Sequence, residues 1–150
     1  VRAEIVKREL GRQVVMLGRF PLEAMPALFR GASALLVALK AEPIFDLTIP
    51  GKLQSYLATG IPIVAMLNGE GARVIEDAGA GLVCNAGDGA ALARCVERLV
   101  GMPIEARQAM GTRGRDYCRR EFDRQTLISS LEQWLIELQG TRVVSVHKAD

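Results

Sequence analysis

Two short apolar runs, separated by a long loop and a helical segment, constrain the fold of this chain more than any other feature. The runs cover residues 34–39 and 61–65, show no alternation with polar residues, and are bounded by turn residues. This pattern is typical of strands that are buried on both faces of a parallel sheet. Parallel strands need a crossover between them, and the intervening segment supplies it. We therefore predict an α/β fold around these two strands.

The rest of the chain continues the alternation of strands and helices. Further strands are predicted over residues 13–17 and 81–84. Helices are predicted over residues 1–10 and 21–30, between Pro50 and Gly60, over residues 72–78, after Asp88, over residues 103–121 and after Asp123. This order predicts a Rossmann-like parallel sheet with right-handed crossovers and helices on both faces. Because four strands are few for such a sheet and a helical segment comes first, we expect the first strands of the domain upstream of Val1.

Composition narrows the class of protein. The chain is 49% apolar and 24% charged, which is typical of a globular domain, and its net charge of +2 is too small to predict nucleic-acid binding. The three cysteines are widely spaced and have no histidine nearby, so we predict free thiols in a reducing cytoplasm and no metal site. No apolar run approaches the roughly 20 residues of a membrane-spanning helix.

The loop between the two central strands is the predicted binding site. Loops at the carboxyl ends of parallel strands are where α/β domains bind ligands, and an overlong one is more often functional than connective. This loop carries Glu42, Asp46 and Thr48, and it leads through Pro50 and Gly51 into a helix with Lys52 in its first turn. The free amides and partial positive charge of a helix N-terminus favour a phosphate, to which Lys52 adds a full charge. The alternative is that Lys52 is merely solvated and that Glu42 caps a turn.

Several common nucleotide and catalytic motifs are absent from the sequence. It contains neither GxGxxG nor GxxxxGK[ST], so neither a dinucleotide fingerprint nor a P-loop is supported. It also lacks a DxD pair for a divalent cation. His147 is the one histidine, and we interpret it as a tail residue without a catalytic role.

The ordered set of segments resembles the C-terminal domain of family 4 (group 1) glycosyltransferases of the GT-B fold. The resemblance covers residues 13–138 and rests on a strand ending in Gly18, the Glu42-Pro43 loop, the PIVA strand, the NGEG loop and the GLVC strand. The segment from Pro50 to Lys52, followed by QSYLATG, resembles the subgroup that transfers N-acetylated aminosugars in bacterial surface-polysaccharide assembly.

The resemblance implies a role for each candidate site residue. Glu42 matches the first acid of the paired-glutamate motif and would act as the catalytic residue that faces the donor sugar. The second acid, which binds the ribose, is replaced by Ser55, with Gln54 as the other candidate. Glu70 either contacts the donor or caps a helix. The remaining implied contacts are with the nucleobase, by Gly18, Arg19 and Phe20, and with the diphosphate and sugar, by Thr48, Ile49, Pro50, Gly51 and Lys52.

The implied reaction is glycosyl transfer from a nucleoside-diphosphate sugar, of the UDP-N-acetylhexosamine type, to a lipid-linked or polysaccharide acceptor. It would be metal-independent, would retain the anomeric configuration and would use no cofactor beyond the donor. The family places an acceptor domain and an Arg/Lys loop before this region, so we expect residues 1–139 alone to bind the donor weakly without turnover. Residues 140–150 are predicted to form a tail.

Other interpretations stay open at this stage. One alternative interpretation is a non-catalytic nucleotide-binding or regulatory module. Gly18 and Lys40 at the predicted strand ends argue against one such module, a receiver domain. The basic residues between Arg107 and Arg124 indicate a solvated face, or else a peripheral contact with anionic lipid headgroups at the inner membrane. Apolar surface exposed without a neighbouring domain would support a homodimer.

Overall fold

The computed structural model of the chain describes residues 1–146, with side chains described for residues 1–139. Its centre is a parallel sheet of three strands in the order β1 (Leu35–Ala38), β2 (Ile63–Met66) and β3 (Gly81–Cys84). The register aligns Leu35 with Ile63, and Ile63 with Gly81. The predicted α/β class with a Rossmann-like parallel sheet is therefore confirmed.

Helices flank this sheet, and most of them begin and end close to the predicted residues. Within the described part of the chain they are α1 (Arg2–Lys7), a 3-10 turn (Leu22–Ala24), α2 (Met25–Arg30), α3 (Pro43–Asp46), α4 (Gly51–Thr59), α5 (Gly69–Asp77), α6 (Gly89–Val100), α7 (Ile104–Glu121) and α8 (Arg124–Val146). Helix α3 lies inside the segment that we predicted as a loop. The predicted tail begins inside α8, and residues 147–150 lie outside the described part.

The central strand β2 is buried on both faces, as its unalternated sequence predicts. Ile63 and Ala65 pack in one apolar cluster with Leu53 and Leu57 of α4 and with Ile75 of α5. Val64 points to the opposite face, where it packs with Leu82, Leu99 and Met110. Each cluster removes its apolar side chains from water, which is the main favourable contribution to folding.

Strand β1 does not share this double burial, so the prediction for residues 34–39 was wrong on one face. Leu35 and Val37 are buried, whereas Leu36 is 53% exposed. Leu36 pairs with Val64 in the sheet, and the helix on that face, α6, packs against β2 and β3. The Leu36 side of β1 is therefore left without a covering helix within the described residues.

The strand predicted over residues 13–17 is absent from the described sheet, which is a second correction. Val15 is 70% exposed and Leu17 is 63% exposed, and the segment has no strand assignment. A strand exists only when a neighbouring strand accepts and donates its backbone hydrogen bonds. None of the three described strands pairs with this segment, so a strongly β-forming sequence stays irregular.

Helix α7 lies against the amino edge of the sheet, where two of its glycines permit close backbone contact. A Cβ built on Gly111 would overlap the carbonyl oxygen of Gly60, and one built on Gly114 would lie 2.9 Å from the Cβ of Ala80. Gly60 itself ends α4 in the left-handed conformation, with φ of 72°. These glycines of α7 thus allow it to approach closely the C-terminal end of α4 and the residue that precedes β3.

Two arginines of the basic segment fasten α7 to this edge. Arg115 donates a hydrogen bond to the carbonyl oxygen of Thr59 at 2.9 Å, and Arg113 donates to that of Gly79 at 3.1 Å. Thr59 ends α4 and Gly79 follows α5, so both cations meet carbonyl groups at helix C-terminal ends, which favour positive charge. This part of the basic segment is more than the solvated face we predicted.

The start of α8 depends on one carboxylate, and this gives a pH-dependent prediction. Asp123 accepts hydrogen bonds from the backbone N–H and the hydroxyl of Thr126, both at 2.9 Å, and these bonds lower the pKa of Asp123. The ordinary pKa of an aspartate is near 4, and the folded state lowers it. The ionised carboxylate therefore stabilises the folded state at pH values above about 4, and this stabilisation is lost as the pH falls through the folded-state pKa. We expect the melting-temperature difference between the wild type and Asp123→Ala to shrink between pH 6 and pH 3.

Differential scanning fluorimetry across this pH range checks the prediction. Asp116→Ala, on the exposed face of α7, is the matched control, because comparison with it separates loss of the helix cap from loss of a surface carboxylate. A difference for Asp123→Ala that is constant from pH 6 to pH 3 would contradict the cap.

Candidate functional site

The three loops at the carboxyl edge of the sheet pack into one continuous layer. The side-chain oxygen of Asn68, after β2, accepts a hydrogen bond from the N–H of Ala86, after β3, at 3.0 Å. A Cβ built on Gly69 would overlap the backbone of Asp46, and one on Gly71 would lie 3.2 Å from the Cδ atom of Pro50. The first turn of α5 therefore supports the loop that precedes α4.

The long loop after β1 is partly ordered by α3. Glu42 lies just before α3 in extended conformation, and its side chain makes no cap bond to that helix. Its carboxylate also has no ion pair or hydrogen bond among the residues whose side chains are described. The hydroxyl of Thr48 donates to the carbonyl oxygens of Ile44 and Phe45, both at 3.3 Å. Thr48 thus closes α3, whereas Glu42 presents an unpaired carboxylate and does not cap the turn.

The N-terminus of α4 has unsatisfied donors and an unpaired cation. Pro50 is the N-cap residue and supplies no side-chain cap, so the N–H groups of Gly51 and Lys52 have no intrahelical acceptor. Lys52 is exposed and forms no ion pair within the described part of the chain. An anion at this position would meet backbone donors, the helix dipole and a full positive charge together.

A groove of about 700 Å³ runs between α2 and α4 and begins at this N-terminus. Three of the predicted donor-binding residues, Gly51, Lys52 and Ser55, line it. The facing wall is apolar and is formed by Leu22, Met25, Pro26 and Phe29. The ring of Phe29 meets that of Tyr56 edge to face, with centroids 5.3 Å apart, which braces α2 against α4. One end of the groove is cationic and the rest can accept a flat apolar group.

The other predicted site residues lie outside the groove lining. Gly18, Arg19 and Phe20 are exposed and precede the 3-10 turn that forms one wall of the groove. Glu42, Thr48 and Ile49 belong to the neighbouring loop. Glu70 forms an ion pair with Arg73 one turn along α5, and this partner raises the pKa of Arg73. The structure therefore gathers Gly51 and Lys52 with Ser55 and leaves the remaining candidates around them.

Comparison with known protein families identifies the family to which this domain belongs. Residues 1–102 of the 150 match the family described as glycosyl transferases group 1. The chain belongs to this family. The match extends from α1 through α6, so it includes the long loop, the groove and all three strands, whereas α7 and α8 lie beyond it. No curated protein and no solved structure matches the chain.

Some residues in and around the candidate site of this group 1 glycosyltransferase were not predicted from the sequence. Tyr56 and Phe29 form the aromatic contact beside the groove, and Asn68 joins two of the loops. Asn68 follows a buried strand directly, which is the position of many loop-ordering polar residues in parallel sheets. A second cavity of about 740 Å³ lies at the ends of β2 and β3, lined by Asn68, Arg73, Glu76, Cys84 and Asn85.

The cysteines of the transferase are free and partly buried. Burial raises the pKa of the Cys84 and Cys118 thiols, so both stay protonated at neutral pH. Burial therefore disfavours the thiolate, which is the nucleophilic form, at both residues. None of the helices in the described part combines the length and apolar character that crossing a membrane requires.

Proposed function

We propose that this chain is the donor-binding domain of a glycosyltransferase that uses a nucleoside-diphosphate sugar, with UDP-N-acetylhexosamine as the donor type. The observation that carries the proposal is the convergence of Gly51, Lys52 and Ser55 on one groove at the N-terminus of α4. Membership of the group 1 glycosyltransferases supports sugar transfer as the reaction. The donor type rests on the resemblance of the Pro50–Lys52 segment to aminosugar transferases.

The diphosphate of the donor would bind at the N-terminus of α4. Its negative charge is matched by Lys52 and by the free N–H groups of the first helical turn. During transfer the bond between the anomeric carbon and the diphosphate breaks, and negative charge grows on the departing phosphate oxygen. Donors that already point at this oxygen stabilise the transition state without reorganisation, which is how helix N-termini contribute to catalysis. In this scheme Lys52 and the backbone N–H groups at the start of α4 neutralise the leaving group.

The nucleoside would extend along the groove between α2 and α4. The ring pair of Phe29 and Tyr56 and the apolar side chains of Leu22 and Met25 offer a surface for the base and ribose. Ser55 lies one helical turn after Lys52 and would hydrogen-bond a ribose hydroxyl. Gly18, Arg19 and Phe20, which lead into the wall formed by Leu22, would border the base.

Glu42 is proposed to act on the donor sugar. Its carboxylate has no partner in the described part of the chain and follows β1, on the same edge as the groove. A carboxylate there would hydrogen-bond sugar hydroxyls and balance the positive charge that develops at the anomeric carbon. The acceptor would be the hydroxyl of a lipid-linked or polysaccharide glycan in bacterial surface glycan assembly, held by a separate acceptor domain at the cytoplasmic face of the inner membrane. Retention of configuration and independence of metal belong to the same proposal.

Calorimetric titration of the chain with UDP, UDP-N-acetylglucosamine and GDP tests the donor site. We expect UDP and its sugar to bind more tightly than GDP, and Lys52→Ala to weaken UDP binding by about tenfold, because a charge-assisted bond is lost. Lys7→Ala, at the end of α1, is the matched control and should leave the affinity unchanged. Equal affinities for the wild type and Lys52→Ala would contradict the phosphate site.

A second candidate function is nucleotide binding without transfer. It is favoured by Ser55, which stands where the resemblance expects an acid. Transfer of labelled N-acetylglucosamine to a membrane acceptor fraction by the full-length protein separates the two candidates, because a non-catalytic module binds UDP and transfers nothing. Glu42→Gln in the same protein should reduce transfer while UDP binding is preserved.

A further inference from the structure

A third cavity lies at the amino edge of the sheet, next to the C-terminal end of α4, where the donor groove also ends. It has a volume of about 240 Å³ and is lined by residues that precede β1 and β2 and by the first turns of α7, including Ser33, Gly60, Pro62, Ile104, Arg107 and Gln108. We propose that this amino-edge cavity binds a small organic carboxylate through Arg107. The inference is independent of the proposed transferase function.

Arg107 is the arginine of α7 whose Nε atom is buried without a hydrogen-bond partner. Arg113 and Arg115 donate to backbone carbonyl oxygens, whereas the buried Nε atom of Arg107 has no hydrogen-bond partner. Its guanidinium also forms no ion pair with any described acidic side chain. Arg107 is half-buried, so packing holds its guanidinium at the cavity wall with one buried N–H group available to an anionic ligand.

The other lining residues complement a carboxylate. They include the hydroxyl of Ser33 and the amide of Gln108 as neutral donors, and no acidic side chain. The cavity also borders the first turn of α7, where Pro103 supplies no side-chain cap and the helix dipole is positive. Glu105 lies in that same turn but does not line the cavity.

The apolar walls distinguish an organic acid from a free inorganic anion. Ile61, Pro62 and Ile104 line the cavity beside Arg107, so a ligand with a short hydrocarbon part would cover their side chains while its carboxylate meets the guanidinium. A bare phosphate would leave these apolar groups exposed to water. The lining therefore favours a monocarboxylate with a short alkyl chain.

Butyrate is the probe, titrated into the isotopically labelled chain at constant ionic strength while amide chemical shifts are followed. We expect saturable shifts at the backbone amides of Gly60 and Ile61, which line the cavity. Arg107→Gln should weaken this binding at least about tenfold, since one charge-assisted contact is lost. Arg119→Gln, on the exposed surface of the same helix, is the matched control and should bind butyrate like the wild type.

Two further titrations of the wild type keep the proposal open to refutation if Arg107→Gln loses its fold. 1-Butanol, which has the same hydrocarbon chain without the charge, should not saturate these amides. The proposal would be overturned if butanol caused shifts as large as those with butyrate, or if the shifts with butyrate were linear. Tighter saturation by inorganic phosphate would overturn the carboxylate assignment. UDP should leave the amides of Arg107 and Gln108 unmoved, because these two residues line the amino-edge cavity and not the donor groove, so failure of one site is distinguishable from failure of the other.

Discussion

Gly111→Ala lowers the melting temperature by about 6–12 °C, which is the expected effect of a destabilisation of about 3 kcal/mol in a domain of this size. The added Cβ would overlap the carbonyl oxygen of Gly60 and lie 3.2 Å from the N atom of Ile61, so it meets backbone that cannot rotate away. Helix α7 must therefore shift outward. That shift also strains the bond from Arg115 to Thr59 and loosens the Met110 contact with Val64 and Leu82.

Gly89→Ala provides the matched control for this prediction. Gly89 opens α6, and a Cβ built on it meets nothing within 4 Å. Alanine has the higher helix propensity, so this variant should melt at the wild-type temperature or slightly above it. Thermal denaturation followed by circular dichroism compares the two. A Gly111→Ala variant as stable as Gly89→Ala would mean that α7 is not seated on the amino edge as described.

Gly69→Ala is expected to damage the donor site, with a loss of UDP affinity of at least about tenfold. Gly69 has φ of 67°, which alanine adopts only with strain, and the added Cβ would overlap the backbone of Asp46 at the end of α3. Relief of that overlap pushes the loop of residues 46–50 away from α5. The same loop leads into the N-terminus of α4, so Lys52 and the free amides would be displaced from the proposed diphosphate position. Small displacements of this kind reduce catalysis and binding strongly.

The control for Gly69→Ala is Gly87→Ala, because it reproduces the backbone strain without the overlap. Gly87 has φ of 84°, and a Cβ built on it has no neighbour within 4 Å. Gly87→Ala should lower the melting temperature moderately and leave the affinity for UDP unchanged. Calorimetry on both variants, at a temperature where each is folded, separates strain from loop displacement. Equal UDP affinities for the two variants would show that the α3–α5 contact does not position the donor site.

The central part of the fold could be predicted because its local signals agree with its surroundings. Residues 61–65 form an unbroken apolar run, and β2 is indeed flanked by strands and covered on both faces. The helix ending at Gly60 and the cap at Asp88 are likewise local signals, and the side chain of Asp88 accepts from the N–H of Ala91 at 2.8 Å. Such features need no knowledge of distant residues.

The predictions that were wrong depend on partners that a local pattern does not contain. Residues 13–17 have a strong β-forming sequence, but no described strand offers them backbone hydrogen bonds. Residues 34–39 have the same apolar character as β2, yet their burial depends on whether a helix covers Leu36. Tertiary neighbours therefore override propensity in both cases, as they commonly do for strands.

The candidate site likewise has features that local sequence predicts and features that depend on tertiary packing. The N-terminus of α4 could be predicted because Pro50, Gly51 and Lys52 indicate the start of a helix within three residues, and the structure adds that Ser55 lines the groove beside it. Phosphate binding at this position stays a prediction. The wall supplied by α2 could not be predicted, because its distance from α4 is set by the packing of Phe29 on Tyr56. The amino-edge cavity could not be predicted for a similar reason. Arg107 lines one cavity with Ser33 and Gly60 only because α7 packs against the amino edge of the sheet.

The most direct test of the donor site is an amide chemical-shift titration of the labelled chain with UDP. The groove between α2 and α4 predicts saturable shifts concentrated at Gly51, Lys52, Ser55 and Tyr56, with smaller ones at Phe29. Residues of α6 and the first turns of α7 should stay unmoved, and Lys52→Ala should shift the saturation to about tenfold higher UDP concentration. Saturable shifts that cluster instead at Asn68, Arg73 and Asn85, in the cavity beyond β2 and β3, would contradict the assignment of the donor site.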